Sequence, residues 1–183
     1  MLYGGVPFSH LAAEEGAFER TFTLLGPSKT ELLTGYRVGV VVGSAAAMRA
    51  VENVFSVTSL RAPAYGQHVL KGWLGPDEAW IAERIAAFAA LRKQTTDRLA
   101  RVPWLKVHPQ DGTAYLWGDV CELGLPDIEI GRTLARDAAV LVSMGYQFGP
   151  SSNGFIRICY ARGPVGWAAA LGRMIEALEA RAR

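Results

Sequence analysis

A lysine and two arginines stand out in this sequence as residues that could do chemistry. Lys29 lies in Ser28-Lys29-Thr30, just past a Gly26-Pro27 break, and Arg37 follows in Gly35-Tyr36-Arg37-Val38-Gly39. A lysine loses its charge readily when desolvated, which suits its amine to Schiff-base formation. An arginine keeps its charge and presents a planar fork that matches phosphate or carboxylate. The other arginine, Arg157, sits mid-run between Phe155-Ile156 and Ile158, where a charge is costly unless paired. Two readings stand for it: a bidentate grip on a carboxylate ligand, or a structural ion pair with an acid such as Asp119. A phosphate-cradling G-x-x-x-x-G-K-[ST] loop is excluded, because Thr23 and Ser28 occupy the positions that its glycines need.

The elements that must hold these residues follow from periodicity. Thr21 to Leu25 is a β-type run, and the almost wholly apolar Val38 to Val42 reads as a strand buried on both faces. Ser44 is an N-cap for a helix from Ala45 to about Val54, with Met48, Val51 and Phe55 on its buried side. Ser56 to Pro63 breaks that helix, and Ala64 to Leu74 returns to helix. Gly75-Pro76-Asp77-Glu78 starts a long helix, from Asp77 to about Arg101, whose stripe is Ile81, Ile85, Phe88, Leu91, Thr95 and Leu99. Beyond Pro103 the pattern turns to strands: Trp104 to His108 and Thr113 to Val120, joined by a turn at Pro109 to Gly112. Ile128 to Asp137 reads as a short helix, Ala139 to Ser143 as a strand, Gly145 to Gly154 as a loop and Phe155 to Tyr160 as a strand. Pro164 opens a last helix with the stripe Trp167, Leu171, Met174, Ile175 and Leu178. Tyr115 and Trp117 read as core residues of their strand.

Composition narrows the function classes. Half of the 183 residues are hydrophobic, a fifth are charged and the net charge is +2, a balance that favours a soluble globular protein over a nucleic-acid binder. No run approaches the roughly 20 apolar residues of a membrane span, and Met1-Leu2-Tyr3 opens on no signal-like pattern. Cys121 and Cys159 share no C-x-x-C and read as reduced thiols in apolar surroundings, in keeping with a cytoplasmic protein. His10, His68 and His108 lie far apart, so no metal site is expected.

The segment Ser28-Lys29-Thr30 with Gly35-Tyr36-Arg37-Val38-Gly39 resembles the cofactor-lysine motif of the class I/II aminotransferases, a family of fold-type I pyridoxal phosphate (PLP) enzymes. Gly154-Phe155-Ile156-Arg157-Ile158 resembles the same family's carboxylate-binding strand, and Val140 to Gly149 its preceding loop, with Met144 where proline is usual. The resemblance implies that Lys29 forms the Schiff base with PLP, that Ser28 and Arg37 hold the cofactor phosphate, and that Arg157 grips the substrate α-carboxylate. Gly26 stands where many relatives carry a second serine. Arg61 falls where relatives approach a neighbouring subunit's cofactor site, which implies a cross-subunit contact; a plain surface arginine is the other reading.

Relatives run to about twice this length, so the chain reads as the C-terminal portion of such an enzyme. The expected fold class is α/β: residues 1–75 as the end of the PLP-binding large domain, 76–101 as a long interdomain helix, and 102–183 as a small α+β domain. The function implied is amino-group transfer between an amino acid and a 2-oxo acid by a homodimer when full length, with no nucleic-acid or membrane partner. A lyase or cyclase on the same scaffold, of the capreomycidine-synthase kind, and a non-catalytic fragment or regulatory domain remain as alternatives.

Overall fold

The chain divides into two compact units, Met1–Arg84 and Ile85–Arg183. The computed structural model describes every residue except Met1, Leu74, Pro76, Pro109 and Arg183.

In the first unit, β1 (Thr23–Leu25) and β2 (Val40–Val42) form a two-stranded antiparallel ladder, with Thr23 opposite Val42 and Leu25 opposite Val40. The expectation of a strand buried on both faces is corrected here. Leu24 is 76% exposed, and Val41 and Val42 are 38% and 39% exposed, because no third strand among the described residues flanks the ladder. Only Val38, ahead of β2, is buried. Helix α1 (Ala45–Thr58) starts where Ser44 predicts, its hydroxyl accepting from the Ala47 amide at 3.4 Å. It runs past Val54, and none of its residues is buried; Met48 and Val51 are half-buried and Phe55 is exposed. The next helix, α2 (Ala64–Val69), is shorter than the sequence suggests; Leu74, its expected end, lies outside the described residues.

The boundary between the units falls within α3 (Glu78–Leu99), whose start signal includes Pro76, also outside the described residues. Phe88, Leu91, Thr95 and Leu99 of its stripe are buried, whereas Ile81 and Ile85 are half-buried. The second unit is built on a sheet of four antiparallel strands in the order β3 (Lys106–His108), β4 (Tyr115–Asp119), β6 (Phe155–Cys159), β5 (Ser143–Met144). Helices α4 (Asp127–Asp137) and α5 (Trp167–Glu179) complete an α+β unit. Strands β4 and β6 alternate half-buried and buried positions, as side chains on opposite faces must. Leu116, Ile156 and Ile158 point into a core shared with Leu99, Ile130, Leu134, Leu171, Met174 and Leu178. Each such side chain contributes roughly 1.5–3 kcal/mol when fully buried. Tyr160, just after β6, is buried in that core, its hydroxyl donating to the Thr113 carbonyl at 2.7 Å. The strand expected over Ala139 to Ser143 shrinks to Ser143–Met144: Ala139 takes φ 51°, a left-handed turn that no strand tolerates.

Candidate active site

Antiparallel pairing returns the chain to the end of the ladder it left, so one connection, residues 26–39, carries Ser28, Lys29 and Arg37. Pro27 is fully buried beneath this connection, and its carbonyl accepts from the amides of Glu31 and Leu33, both at 3.2 Å. Those bonds fold residues 27–30 into a tight turn that holds Ser28 half-buried and Lys29 exposed. A 3-10 turn, Thr34–Tyr36, follows, and Arg37 caps it at φ 50°. The Arg37 guanidinium is tethered through Nη1 to the Thr34 carbonyl at 2.8 Å, leaving the rest of its fork outward. Gly39 eases the close approach at the closing end, since a Cβ there would lie 3.0 Å from the Leu25 carbonyl oxygen, tighter than most such contacts.

This donor set fits a phosphate-bearing aldehyde. A hydroxyl and a guanidinium are hydrogen-bond donors to an anion, and an amine is a nucleophile toward a carbonyl carbon. Arg61 lies elsewhere in the same unit, beyond the end of α1; its side chain is exposed, and its amide donates to the Ser59 carbonyl at 2.7 Å.

Arg157 belongs to the second unit. Cross-strand register places it between Trp117 of β4 and Ser143 of β5, and Trp117 in turn faces His108 of β3. Its Nη2 donates to the Ser143 hydroxyl at 2.9 Å. Its guanidinium carbon sits 4.4 Å from the Tyr115 ring centre and 4.8 Å from that of Phe148, a cation between two aromatic faces. Its Nε is buried without a hydrogen-bond partner among the described residues. The ion pair with Asp119 is absent: the Asp119 carboxylate instead accepts from the Cys121 amide at 2.9 Å, and no ion pair among the described residues involves Arg157. That amide holds Asp119 below the usual carboxylate range, and Asp119 in turn raises the Cys121 thiol. Cys121 is exposed rather than set among apolar groups, and Cys159 is half-buried; both are free thiols.

Tyr115 and Trp117 are not core residues. They are half-buried on the Arg157 face, where Trp117 stacks on Phe155 at 5.5 Å and meets the edge of Phe148 at 5.3 Å. Strand alternation contains that signal, since Tyr115 and Trp117 must share a face opposite Leu116. The position of Phe148 carries no such signal. It comes from the loop after β5, whose tight fold is possible because Gly145 has no Cβ to run into the Ser152 carbonyl oxygen. A cavity of about 300 Å³ in the same unit is lined by Val140, Leu141, Ile158, Arg162, Trp167 and Met174 among others. Among the described residues no group of three or more His, Cys, Asp or Glu could hold a metal, and no helix is long and apolar enough to cross a membrane.

Known proteins resemble this chain over almost its whole length. The family model for aminotransferase class I and II matches residues 1–171. The chain is 28% identical over 180 residues to an aspartate aminotransferase of Musicola paradisiaca, covering 96% of this chain and 44% of that protein. It is 29% identical over 183 residues to aromatic-amino-acid aminotransferase 2 of Thermococcus litoralis, covering 97% of this chain and 46% of that one. The solved structure of an aspartate aminotransferase from Rhodobacter sphaeroides superposes with a TM-score of 0.92 at 32% identity, over 98% of this chain and 46% of that one. The chain thus spans about half the length of the relatives it matches. The family is PLP-dependent, and the architecture is the α/β fold of its solved members. The chain belongs to the class I and II aminotransferases.

Proposed function

We propose that this chain is the C-terminal portion of a PLP-dependent transaminase that moves an amino group between an amino acid and a 2-oxo acid. The observation that supports the reading is that a single connection between β1 and β2 carries a hydroxyl, an amine and a guanidinium. In it, Ser28 and Arg37 hold the cofactor phosphate by charge-assisted hydrogen bonds. Lys29 supplies the amine that captures the cofactor and, once released, carries the proton to and from the substrate Cα as general acid and base. When bound, PLP supplies the electron sink that makes that proton removable. Arg157 orients the substrate through its carboxylate, with the guanidinium held by Ser143, Tyr115 and Phe148.

In this reading residues 1–75 end the cofactor domain, 76–101 link it to the small domain of 102–183, and the whole enzyme works as a cytoplasmic homodimer. Arg61 then reaches toward the partner subunit's site. The test is to load the chain with PLP, reduce with borohydride and map the peptides. A phosphopyridoxyl group on Lys29 supports the assignment; the group on Lys71, Lys93 or Lys106 overturns it.

A further inference from the structure

We propose that the face around Arg157 selects carboxylates bearing an aromatic or large apolar side chain, with Trp117 as a specificity-determining residue. The inference rests on the carboxylate role given to Arg157 above. Four aromatic rings share that face of the sheet: Tyr115 and Phe148 flank the guanidinium, and Trp117 and Phe155 continue the surface as a stacked pair. Trp117 is the direct cross-strand neighbour of Arg157, which puts the two side chains about 5 Å apart at Cβ. A carboxylate held by the guanidinium therefore brings its own substituent against an indole ring that is only half-buried.

The charges on the same face argue against a second anionic group. Lys106 is already paired with Glu122 at 2.6 Å, and His108 lies beyond Trp117 in the register row. Asp119, two positions along β4 from Trp117, is an anion on this face. A dicarboxylate thus finds one free cation here among the described residues and a repelling carboxylate close by, whereas a phenyl or indolyl group finds stacking surface. The buried Arg157 Nε, which lacks an acceptor among the described residues, agrees with a site shaped for a ligand that brings one.

Three unreactive carboxylates, 3-phenylpropionate, acetate and succinate, test this by NMR titration of the 183-residue chain. In the wild type, phenylpropionate is expected to bind about tenfold tighter than the other two. Trp117→Leu should lose that preference and Trp117→Phe should keep it, while Arg157→Gln should weaken all three. Equal affinities that still depend on Arg157, tightest binding of succinate, or a preference that survives Trp117→Leu each overturn the selectivity alone. Binding that is absent, or indifferent to Arg157→Gln, overturns the carboxylate role and the selectivity together.

Discussion

The Trp167 indole donates a 2.8 Å hydrogen bond from Nε1 to the Thr95 hydroxyl, which itself donates to the Leu91 carbonyl at 2.6 Å. Thr95 is fully buried, so this bond ties the start of α5 to the C-terminal end of α3 through a polar group inside the core. Thr95→Val keeps the shape and removes the acceptor. The stranded indole N–H should lower unfolding free energy by about 1–3 kcal/mol in urea titration. Trp167→Phe in the Thr95→Val background removes the stranded donor. The hydrogen-bond part of the second substitution should then cost less than it does in wild type, a coupling that a double-mutant cycle reads directly.

Arg37 offers a trade between stability and binding. Its backbone sits at φ 50°, where glycine is unstrained and a side chain is not. Arg37→Gly should leave stability unchanged or raise it by up to about 1 kcal/mol, while PLP binding, followed by absorbance titration, weakens by about tenfold or more. Arg37→Lys should weaken binding as well, because it retains the charge but not the fork. Unchanged PLP affinity in both variants would remove Arg37 from the phosphate site.

Asp119 and Cys121 give a pH-dependent pair of outcomes. Because folding lowers the Asp119 pKa, its contribution to stability is present above the unfolded value of about 3.9 and is lost as pH falls through the lower folded one. Asp119→Asn should therefore flatten acid unfolding at that end of the scale. The same carboxylate raises the Cys121 thiol, so alkylation of Cys121 by iodoacetamide near pH 8 should run slower than that of a free cysteine and speed up in Asp119→Asn. An unaltered alkylation rate in the variant would remove the carboxylate as the cause.

The first unit leaves a wide apolar surface open. Leu24, Val57 and Leu60 are 76%, 83% and 75% exposed, and the β1–β2 ladder has unpaired edges among the described residues. Such surfaces associate. The 183-residue chain should show concentration-dependent oligomers by light scattering and bind a hydrophobic dye, and Leu24→Lys with Val57→Lys should reduce both. A strictly monomeric, dye-silent chain would contradict this.

Local signals served this sequence well wherever local physics decides. The Ser44 cap, the helix start at Glu78 and the strand pair around Gly118 are all written in short-range residue choice, and the structure follows them to within a few residues. Errors arose where burial depends on distant chain. Val38 to Val42 looks like an interior strand because its composition suits a larger sheet, yet here it pairs with β1 alone. The Arg157 surroundings show the same division. Strand alternation holds the clue to Tyr115 and Trp117, whereas Ser143 and Phe148 reach Arg157 through sheet order and a folded loop that no local pattern encodes.

The alternation of β4 and β6 also separates two kinds of mutational tolerance. Leu116, Ile156 and Ile158 are locked into the packed layer, so drift at those positions is penalised through folding. Tyr115, Trp117 and Phe155 point the other way beside Arg157 and are only half-buried, so they can vary without unmaking the unit or removing the guanidinium. A combinatorial library restricted to that outward row would sample new ligand preferences on an unchanged scaffold. Divergence of substrate range within such a lineage would then proceed by exchanging every second residue of two neighbouring strands.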